Sequence, residues 1–204
     1  MNKLLIATNN KGKVKEFQDL LKNLRVQLLT PADINLTLDV IEDGKNYQEN
    51  ASKKATQFAQ ASGLIALADD SGLEVDVLDG APGLYSARYS PKPNATDKDR
   101  RDFLLQNLKD KPQVWTAHFH ATIAIAKPTG EVEFAEGNCY GEIISEERGI
   151  NGFGYDPIFL FPALGKTMAE LDNEHKNRIS HRGLAVMNAM KILEKFMELG
   201  SMLP

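Results

Sequence analysis

Apolar positions along the chain follow two periods, and each period predicts a different kind of element. Lys3 to Ala7 is a short apolar run typical of a strand, and Asn50 to Ser62 has a helical apolar face that Gly63 would end. The first and last predicted helices carry apolar side chains three or four residues apart: Val14, Phe17, Leu21 and Leu24, and then Val186, Ala189, Met190, Leu193 and Phe196.

Two long segments in the middle of the chain predict a β-hairpin. Val114 to Ala126 and Glu131 to Ile144 read as strands, and Pro128-Thr129-Gly130 lies between them as a turn. Together with the strand–helix units elsewhere, this hairpin predicts an α/β fold with a mixed, twisted central sheet flanked by helices. Because no repeat or interdomain linker is evident, we expect residues 1–204 to form a single domain.

Two adjacent carboxylates, Asp69 and Asp70, follow the apolar run Leu64 to Ala68 and precede Ser71-Gly72. These residue types predict that the strand ends here in a turn. Adjacent ionised carboxylates near a core repel each other and lose hydration, so they need a cation, a proton or several hydrogen-bond donors. A Mg²⁺ ion bound together with substrate phosphates would meet this need. A turn without a chemical role is the alternative interpretation.

A polar loop, Thr8-Asn9-Asn10-Lys11-Gly12-Lys13, connects the first predicted strand to the first predicted helix. Backbone amides at a helix start are unpaired and carry partial positive charge, so together with Lys11 and Lys13 they suit a phosphate chain. The loop lacks the glycine patterns of P-loop and dinucleotide-binding proteins. An ordinary solvated helix start is the alternative.

Glycines alternate with aromatic residues in Gly152-Phe153-Gly154-Tyr155-Asp156-Pro157. Glycine lets a backbone approach a ligand closely, and an aromatic face can stack on a nucleobase. The pattern therefore predicts a base-binding segment. A turn whose aromatic rings cover the core is the alternative.

The segment Ser180-His181-Arg182 precedes the apolar pattern of the last predicted helix, with Ser180 as its expected N-cap. Positive side chains in a first helical turn oppose the helix dipole, so an anion or a carbonyl-rich ligand would make this placement favourable. An exposed basic face is the alternative.

Composition and charge argue against several classes of protein. The formal net charge of −4 argues against a nucleic-acid-binding surface, and the single Cys139 excludes an intramolecular disulfide. No apolar stretch reaches the ~20 residues of a membrane span, so we expect no membrane partner. The N-terminal residues enter a strand without a signal-peptide region, which favours a cytoplasmic location.

In their order along the chain, these motifs resemble the inosine triphosphate pyrophosphatase family, also called XTP/dITP diphosphatases. The match spans essentially the whole chain and includes two further segments, Glu49-Asn50-Ala51 and Ala81-Pro82-Gly83-Leu84-Tyr85-Ser86-Ala87-Arg88. The resemblance implies two lobes around an active-site cleft, and a homodimer. It also implies Mg²⁺-dependent hydrolysis of ITP, dITP and XTP to the monophosphate and pyrophosphate, which removes deaminated purines from nucleotide pools.

The resemblance also implies a role for each motif residue. Asp70 would be the general base and a metal ligand. Glu42 would be the second carboxylate on Mg²⁺, with Glu49 and Asp69 as alternatives. Lys53 is a further phosphate-binding candidate, although a solvated helix surface is the stronger interpretation of its position. The remaining contacts would come from Thr8, Asn9, Asn10, Lys11, Gly12 and Lys13 at the phosphates, Ser71 near the reacting centre, Phe153, Gly154, Tyr155 and Asp156 around the base and sugar, Lys176, and His181 and Arg182 at the purine 6-keto oxygen.

Two other functions are weighed against this one. A phosphatase with an aspartyl nucleophile would suit an Asp-rich turn, but the Asp-x-Asp pattern usual for that chemistry is absent from the segment. A catalytically silent nucleotide-binding protein would keep Lys13, Phe153 and Arg182 and would not need Asp70. Since no Ser-His-Asp or Cys-His arrangement is evident, direct attack by water on the α- or β-phosphorus fits the residue types best.

Overall fold

The computed structural model describes residues 2–198, and within them seven strands and five α-helices form. The strands are β1 (Lys3–Ile6), β2 (Gln27–Leu29), β3 (Ile65–Val75), β4 (Trp115–Ala126), β5 (Val132–Ile143), β6 (Phe159–Phe161) and β7 (Lys166–Thr167). The helices are α1 (Lys11–Leu20), α2 (Tyr47–Ser62), α3 (Asp97–Leu108), α4 (Asn173–Ile179) and α5 (His181–Phe196). None of these helices is long and apolar enough to cross a membrane.

The strands form one mixed sheet in the order β2-β1-β3-β4-β5-β6-β7. Strand β1 is parallel to β2 and β3, whereas β6 is antiparallel to β5 and β7. The predicted α/β class with a mixed sheet is therefore confirmed. The predicted hairpin strands correspond to β4 and β5 to within one residue at each end, and the backbone N–H of Lys127 donates to the carbonyl of Glu131 across their turn, at 2.9 Å.

The chain divides into two compact units. Within residues 2–198, the first unit contains residues 2–70, Ala121–Gly137 and residues 182–198. The second unit contains Ser71–His120 and Asn138–His181. Strands β3, β4 and β5 each contribute residues to both units, so no single stretch of sequence corresponds to either one.

In the first unit, helices cover both faces of the sheet. Leu4 of β1 and Leu67 of β3 pack with α1 and α5, whereas Leu5 and Ala66 pack with α2. Successive side chains of a strand point to opposite faces, so each of these strands supplies both cores. The face on which a strand residue lies thus decides which helix it meets.

In the second unit, the core forms from α3 and the adjoining parts of the long strands. Leu104 and Leu108 of α3 are fully buried, and they belong to one apolar cluster with Leu73 of β3 and Phe159 of β6. This cluster also contains Tyr155, which lies in the glycine–aromatic segment. The core of this unit therefore extends directly to a predicted binding segment.

The turn predicted at Asp69-Asp70-Ser71-Gly72 is wrong, because β3 continues through it from Ile65 to Val75. Aspartate, serine and glycine are depleted in strands when their neighbours along the chain alone are considered. Here β3 lies between β1 and β4 in the sheet, and ladder pairing outweighs the local preference for a turn. The two carboxylates therefore belong to a strand interior.

Candidate active site

Asp69 and Asp70 are consecutive in β3, and their side chains point to opposite faces of the sheet. Asp69 meets residues of α1 and α5, and Asp70 meets residues of α2. This follows from the alternation of side chains along a strand. The nearest cations therefore differ between the two carboxylates: Lys13 and Arg182 for Asp69, and Lys54 for Asp70. Ser71 follows them in β3 and is half-buried.

Asp69 is the fully buried centre of an ion cluster. Its Oδ2 accepts hydrogen bonds from Nε and Nη2 of Arg182, at 3.1 and 2.8 Å, and lies 3.1 Å from Nζ of Lys13. Burial alone would raise the pKa of Asp69, but the charges of Lys13 and Arg182 outweigh it and hold that pKa far below its ordinary value. The other oxygen, Oδ1, is buried and accepts no hydrogen bond from the described residues.

Arg182 is held by carboxylates from two elements. Its Nη1 pairs with Glu16 of α1, Nε and Nη2 bind Asp69, and the guanidinium carbon lies 5.8 Å from the centre of the Phe17 ring. The residue is only 1% exposed. The exposed basic face considered for Ser180-His181-Arg182 is therefore excluded, because His181 is buried as well.

Asp70 has weaker compensation than Asp69. Its Oδ2 accepts a hydrogen bond from Nδ2 of Asn50 at 2.9 Å, and Nζ of Lys54 lies 4.0 Å from its Oδ1. Burial raises the pKa of Asp70, and the favourable contributions of Lys54 and Asn50 do not cancel this effect. A nearby charge on Glu42 raises it further. A buried carboxylate whose pKa is raised is suited to take a proton or to share a cation.

The polar loop after β1 forms the predicted start of α1. The side chain of Asn10 caps the helix, since its Oδ1 accepts the backbone N–H of Lys13 at 3.1 Å. The backbone N–H of Asn10 in turn donates to Oγ1 of Thr8 at 3.2 Å. Asn9, Asn10 and Lys11 are exposed, whereas Gly12 and Lys13 are half-buried. Burial lowers the pKa of Lys13, and Asp69 opposes this effect.

Sequence reasoning missed Lys54, and it gave no role to Asn50 of the Glu49-Asn50-Ala51 motif. Lys54 Nζ lies 3.0 Å from Oε2 of Glu42, while Lys53 pairs with the exposed Asp43 instead. The available signal was their spacing: an asparagine and a lysine four residues apart lie on the otherwise apolar face of the predicted helix. Polar side chains on a buried helix face require partners.

Two carboxylates of the first unit lie near the same lysine ammonium, and such a pair of carboxylates is suited to hold Mg²⁺. Glu42 and Asp70 both approach Nζ of Lys54. Mg²⁺ is usually held by one or two carboxylates together with substrate phosphates. Residues 2–198 contain no group of three or more His, Cys, Asp or Glu side chains suited to a metal. Glu49 instead accepts the backbone N–H of Lys45 at the start of α2, at 2.8 Å.

In the second unit, Asp156 organises the glycine–aromatic segment. Its Oδ2 accepts the backbone N–H of Phe153 at 2.9 Å and pairs with Nζ of Lys176 at 2.6 Å. The same ammonium lies 5.2 Å from the centre of the Phe153 ring. Only glycine fits at position 152, because a Cβ there would lie 2.0 Å from Oδ2 of Asp156 and the residue has a φ of +77°.

The two aromatic residues of this segment differ in their surroundings. Tyr155 is buried in the core, and its hydroxyl donates to the carbonyl of Ser86 at 2.9 Å. Burial raises the pKa of Tyr155. Phe153 is half-buried and keeps part of its ring accessible. The ring of Phe153 is therefore partly accessible to a ligand, whereas Tyr155 supports the segment from the core.

His181 lies against an aromatic ring and a thiol. Its ring stacks on Phe119 with centroids 4.7 Å apart and planes 13° from parallel, and its Nδ1 is 3.9 Å from Sγ of Cys139. Burial raises the pKa of Cys139 to about 12, so this sulfur stays protonated near neutral pH. The orientation of the imidazole is thus fixed by packing within the second unit.

Comparison with known proteins gives consistent matches over most of the chain. A model described as the Ham1 family matches residues 4–192. The curated dITP/XTP pyrophosphatase of Desulforamulus reducens is 50% identical over 194 residues, which are 95% of this chain and 96% of that protein. The one of Geobacter sulfurreducens is 48% identical over 187 residues, 91% of this chain and 94% of that protein.

Solved structures give the same result. A HAM1 protein from Coxiella burnetii has a TM-score of 0.85 and 40% identity, covering 96% of this chain and 100% of that one. The Staphylococcus aureus Ham1 protein has a TM-score of 0.81 and 38% identity, covering 97% and 98%. These matches confirm the resemblance indicated by the motifs and the fold class.

Replacing Asp69 by Asn should strongly destabilise the protein. The change removes the carboxylate nearest to the half-buried Lys13 and leaves the buried Arg182 with Glu16 alone. Breaking a buried ion pair on one side typically costs about 3–5 kcal/mol. Urea unfolding at pH 7 measures this loss. Asp43→Asn is the matched control, because Asp43 is exposed where it pairs with Lys53, and its unfolding midpoint should stay that of the unaltered protein. Equal midpoints for the two variants would contradict the assignment.

Proposed function

This chain belongs to the Ham1 family, and from that premise we propose that it hydrolyses the non-canonical purine nucleotides dITP, ITP and XTP to the nucleoside monophosphate and pyrophosphate. The observation that carries this proposal is the buried Asp70 beside Lys54 and Glu42, with its pKa raised by burial. This group combines a proton acceptor, a phosphate-binding cation and a second carboxylate. The role removes deaminated purines from nucleotide pools.

We assign the general base to Asp70. An ionised Asp70 takes a proton from the attacking water as the water oxygen bonds to phosphorus and the bridging P–O bond breaks. The electron pair of that bond leaves with the departing phosphate group. Lys13, Lys54 and the backbone amides at the start of α1 neutralise the triphosphate oxygens, and Ser71 donates near the reacting phosphorus. Attack at the α- or β-phosphorus gives the same products, and ¹⁸O-labelled water distinguishes the two by the product that carries the label.

Asp70 and Glu42 are the proposed ligands of Mg²⁺. When bound, the ion supplies further neutralisation of the triphosphate and fixes its orientation. We favour Glu42 over Glu49 and Asp69 for structural reasons. Glu49 is engaged at the start of α2, and Asp69 lies on the opposite face of β3 from Asp70.

The second unit is proposed to bind the base and sugar. Phe153 offers a ring face to the base, Gly154 and Tyr155 shape the segment, and Asp156 and Lys176 offer polar contacts. We keep His181 and Arg182 as readers of the purine 6-keto oxygen. Adenine presents an amino donor at that position, so buried donors would lose their partner, and such mismatches can reduce specificity constants by about 10⁴-fold.

Hydrolysis products test this function directly. We expect IMP and pyrophosphate from ITP, the corresponding products from XTP, and little turnover of ATP or GTP, with activity lost when Mg²⁺ is removed. Asp70→Asn should lower kcat by about 10³-fold, because general-base catalysis contributes 10²–10⁴-fold. Chromatography of the products and a pyrophosphate assay measure both effects. Release of orthophosphate would favour the aspartyl phosphatase, and tight ITP binding without turnover would favour a silent nucleotide-binding protein.

Neighbouring lysines of α2 provide a second test. Lys54→Met should lower kcat/KM for ITP by about 100-fold, because it removes a buried cation that faces both Asp70 and Glu42. Lys53→Met changes the adjacent residue, which pairs with exposed Asp43, and should alter kcat/KM by less than about twofold. Steady-state kinetics at saturating Mg²⁺ measures both. The reverse order of effects would disprove the assignment of Lys54.

We also propose that the whole chain acts as one catalytic domain, forms a homodimer and works in the cytoplasm, where nucleotide pools are held. The family match from residue 4 to residue 192 supports a single functional domain. Sedimentation equilibrium at micromolar concentration should give twice the chain mass of 22.6 kDa. A mass equal to one chain at these concentrations would overturn the homodimer.

A further inference from the structure

Helix α3 holds the glycine–aromatic segment through both polar groups of one residue, Gly154. Oδ2 of Asp97 accepts the backbone N–H of Gly154 at 2.8 Å. Nη1 of Arg101 donates to the carbonyl of the same residue at 2.7 Å. The side chains of Asp97 and Arg101 are one turn apart on α3, so together they form a clamp on Gly154.

Both arms of the clamp are themselves fixed. Arg101 binds Glu147 through two hydrogen bonds, from Nε at 3.0 Å and from Nη2 at 2.8 Å, and its side chain is only 11% exposed. Asp97 pairs with Arg100. Burial raises the pKa of Asp97, but the Gly154 N–H and Arg100 outweigh this effect and lower it. The clamp is therefore a charged, preorganised structure.

The helix that carries the clamp is anchored in the core of the second unit. Leu104 and Leu108 of α3 are fully buried in that core. The first turn of α3 is fixed by a capping box, in which Thr96 and Asp99 exchange hydrogen bonds. Asp97 and Arg101 thus project from a helix that is capped at its start and packed into the core.

The backbone conformation of Gly154 sets the direction in which the chain runs from Phe153 to Tyr155. It lies between Phe153 and Tyr155 and has a φ of +62°, a conformation that glycine adopts without strain. Tyr155 is fixed by its bond to the Ser86 carbonyl, and the backbone N–H of Phe153 by its bond to Asp156. The clamp adds a further restraint, on the peptide groups on either side of Gly154, one of which joins it to Phe153.

We propose that Asp97 and Arg101 are positioning residues that set the orientation of the Phe153 ring, and through it the affinity for the purine base. They act through Gly154 and touch neither substrate nor the reacting atoms. This inference rests on the proposed function, because it assigns the base contact to Phe153. Groups held within a fraction of an ångström of their working geometry depend on such supporting contacts.

The test compares Asp97→Ala and Arg101→Met with the unaltered protein. Each change should raise KM for ITP and weaken binding of IMP by about 10-fold, since one restraint on the base-binding segment is lost. The value of kcat should change by less than about twofold, because the proposed general base lies in the first unit. Arg101→Lys, which keeps a donor for the Gly154 carbonyl, should recover part of the IMP affinity. Calorimetry with IMP gives a readout that does not depend on turnover.

Two control variants separate positioning from helix stability. Thr96→Ala removes the capping box of α3 but leaves both contacts to Gly154, and Lys98→Ala removes an exposed ion pair with Asp102 on the same helix. Both should keep KM and IMP affinity within about twofold of the unaltered protein. The proposal is overturned if Thr96→Ala copies the effect of Asp97→Ala, or if neither clamp variant changes IMP affinity. Absence of ITP hydrolysis by the unaltered protein would instead overturn the proposed function.

Discussion

The alternation of side chains along β3 is the constraint on which the charged part of the first unit depends. Two neighbouring carboxylates at this point would repel each other strongly if they shared one face. Because they lie in a strand, Asp69 meets the cations of α1 and α5, and Asp70 meets Asn50 and Lys54 of α2. The same alternation gives the two acids pKa shifts of opposite direction, with Asp69 lowered and Asp70 raised. One acid therefore stabilises the fold, and its neighbour keeps the capacity to accept a proton.

Sequence patterns predicted the elements well wherever a local signal and the fold agree. The apolar faces of α1, α2 and α5, the glycine stop after α2 and the hairpin of β4 and β5 all follow from spacing and turn residues. The prediction failed at Asp69-Asp70-Ser71-Gly72, where residue types favour a turn and the sheet imposes a strand. Local preference was outweighed there by ladder pairing and by ion pairs with distant residues.

Pairings across the chain could not be read from the sequence. Asp69 and Arg182 are 113 positions apart, and the contact between them depends on how α5 packs against the sheet. The helical period could have identified Asn50 and Lys54, because these polar residues interrupt an apolar helix face. The position of that apolar face alone predicts that Lys54 is buried and that Lys53 is not. The difference between Phe153 and Tyr155 could not be predicted in this way, since both are aromatic and only the folded core shows that Tyr155 is buried.

The two units present different candidate side chains, and the chain changes from one unit to the other within two of the motifs. Lys13, Lys54 and the buried pair of Asp69 and Arg182 lie in the first unit, whereas the second contains the Phe153 ring, the stacked His181 imidazole and the buried pair of Asp156 and Lys176. Hydrolysis of a triphosphate is the same for every nucleotide, so groups that act on the phosphates alone do not distinguish one base from another. In the proposed function this distinction is assigned to Phe153 and His181 of the second unit and to Arg182 of the first. The chain changes unit between Asp70 and Ser71 and again between His181 and Arg182. Each of these short motifs therefore supplies residues to both units.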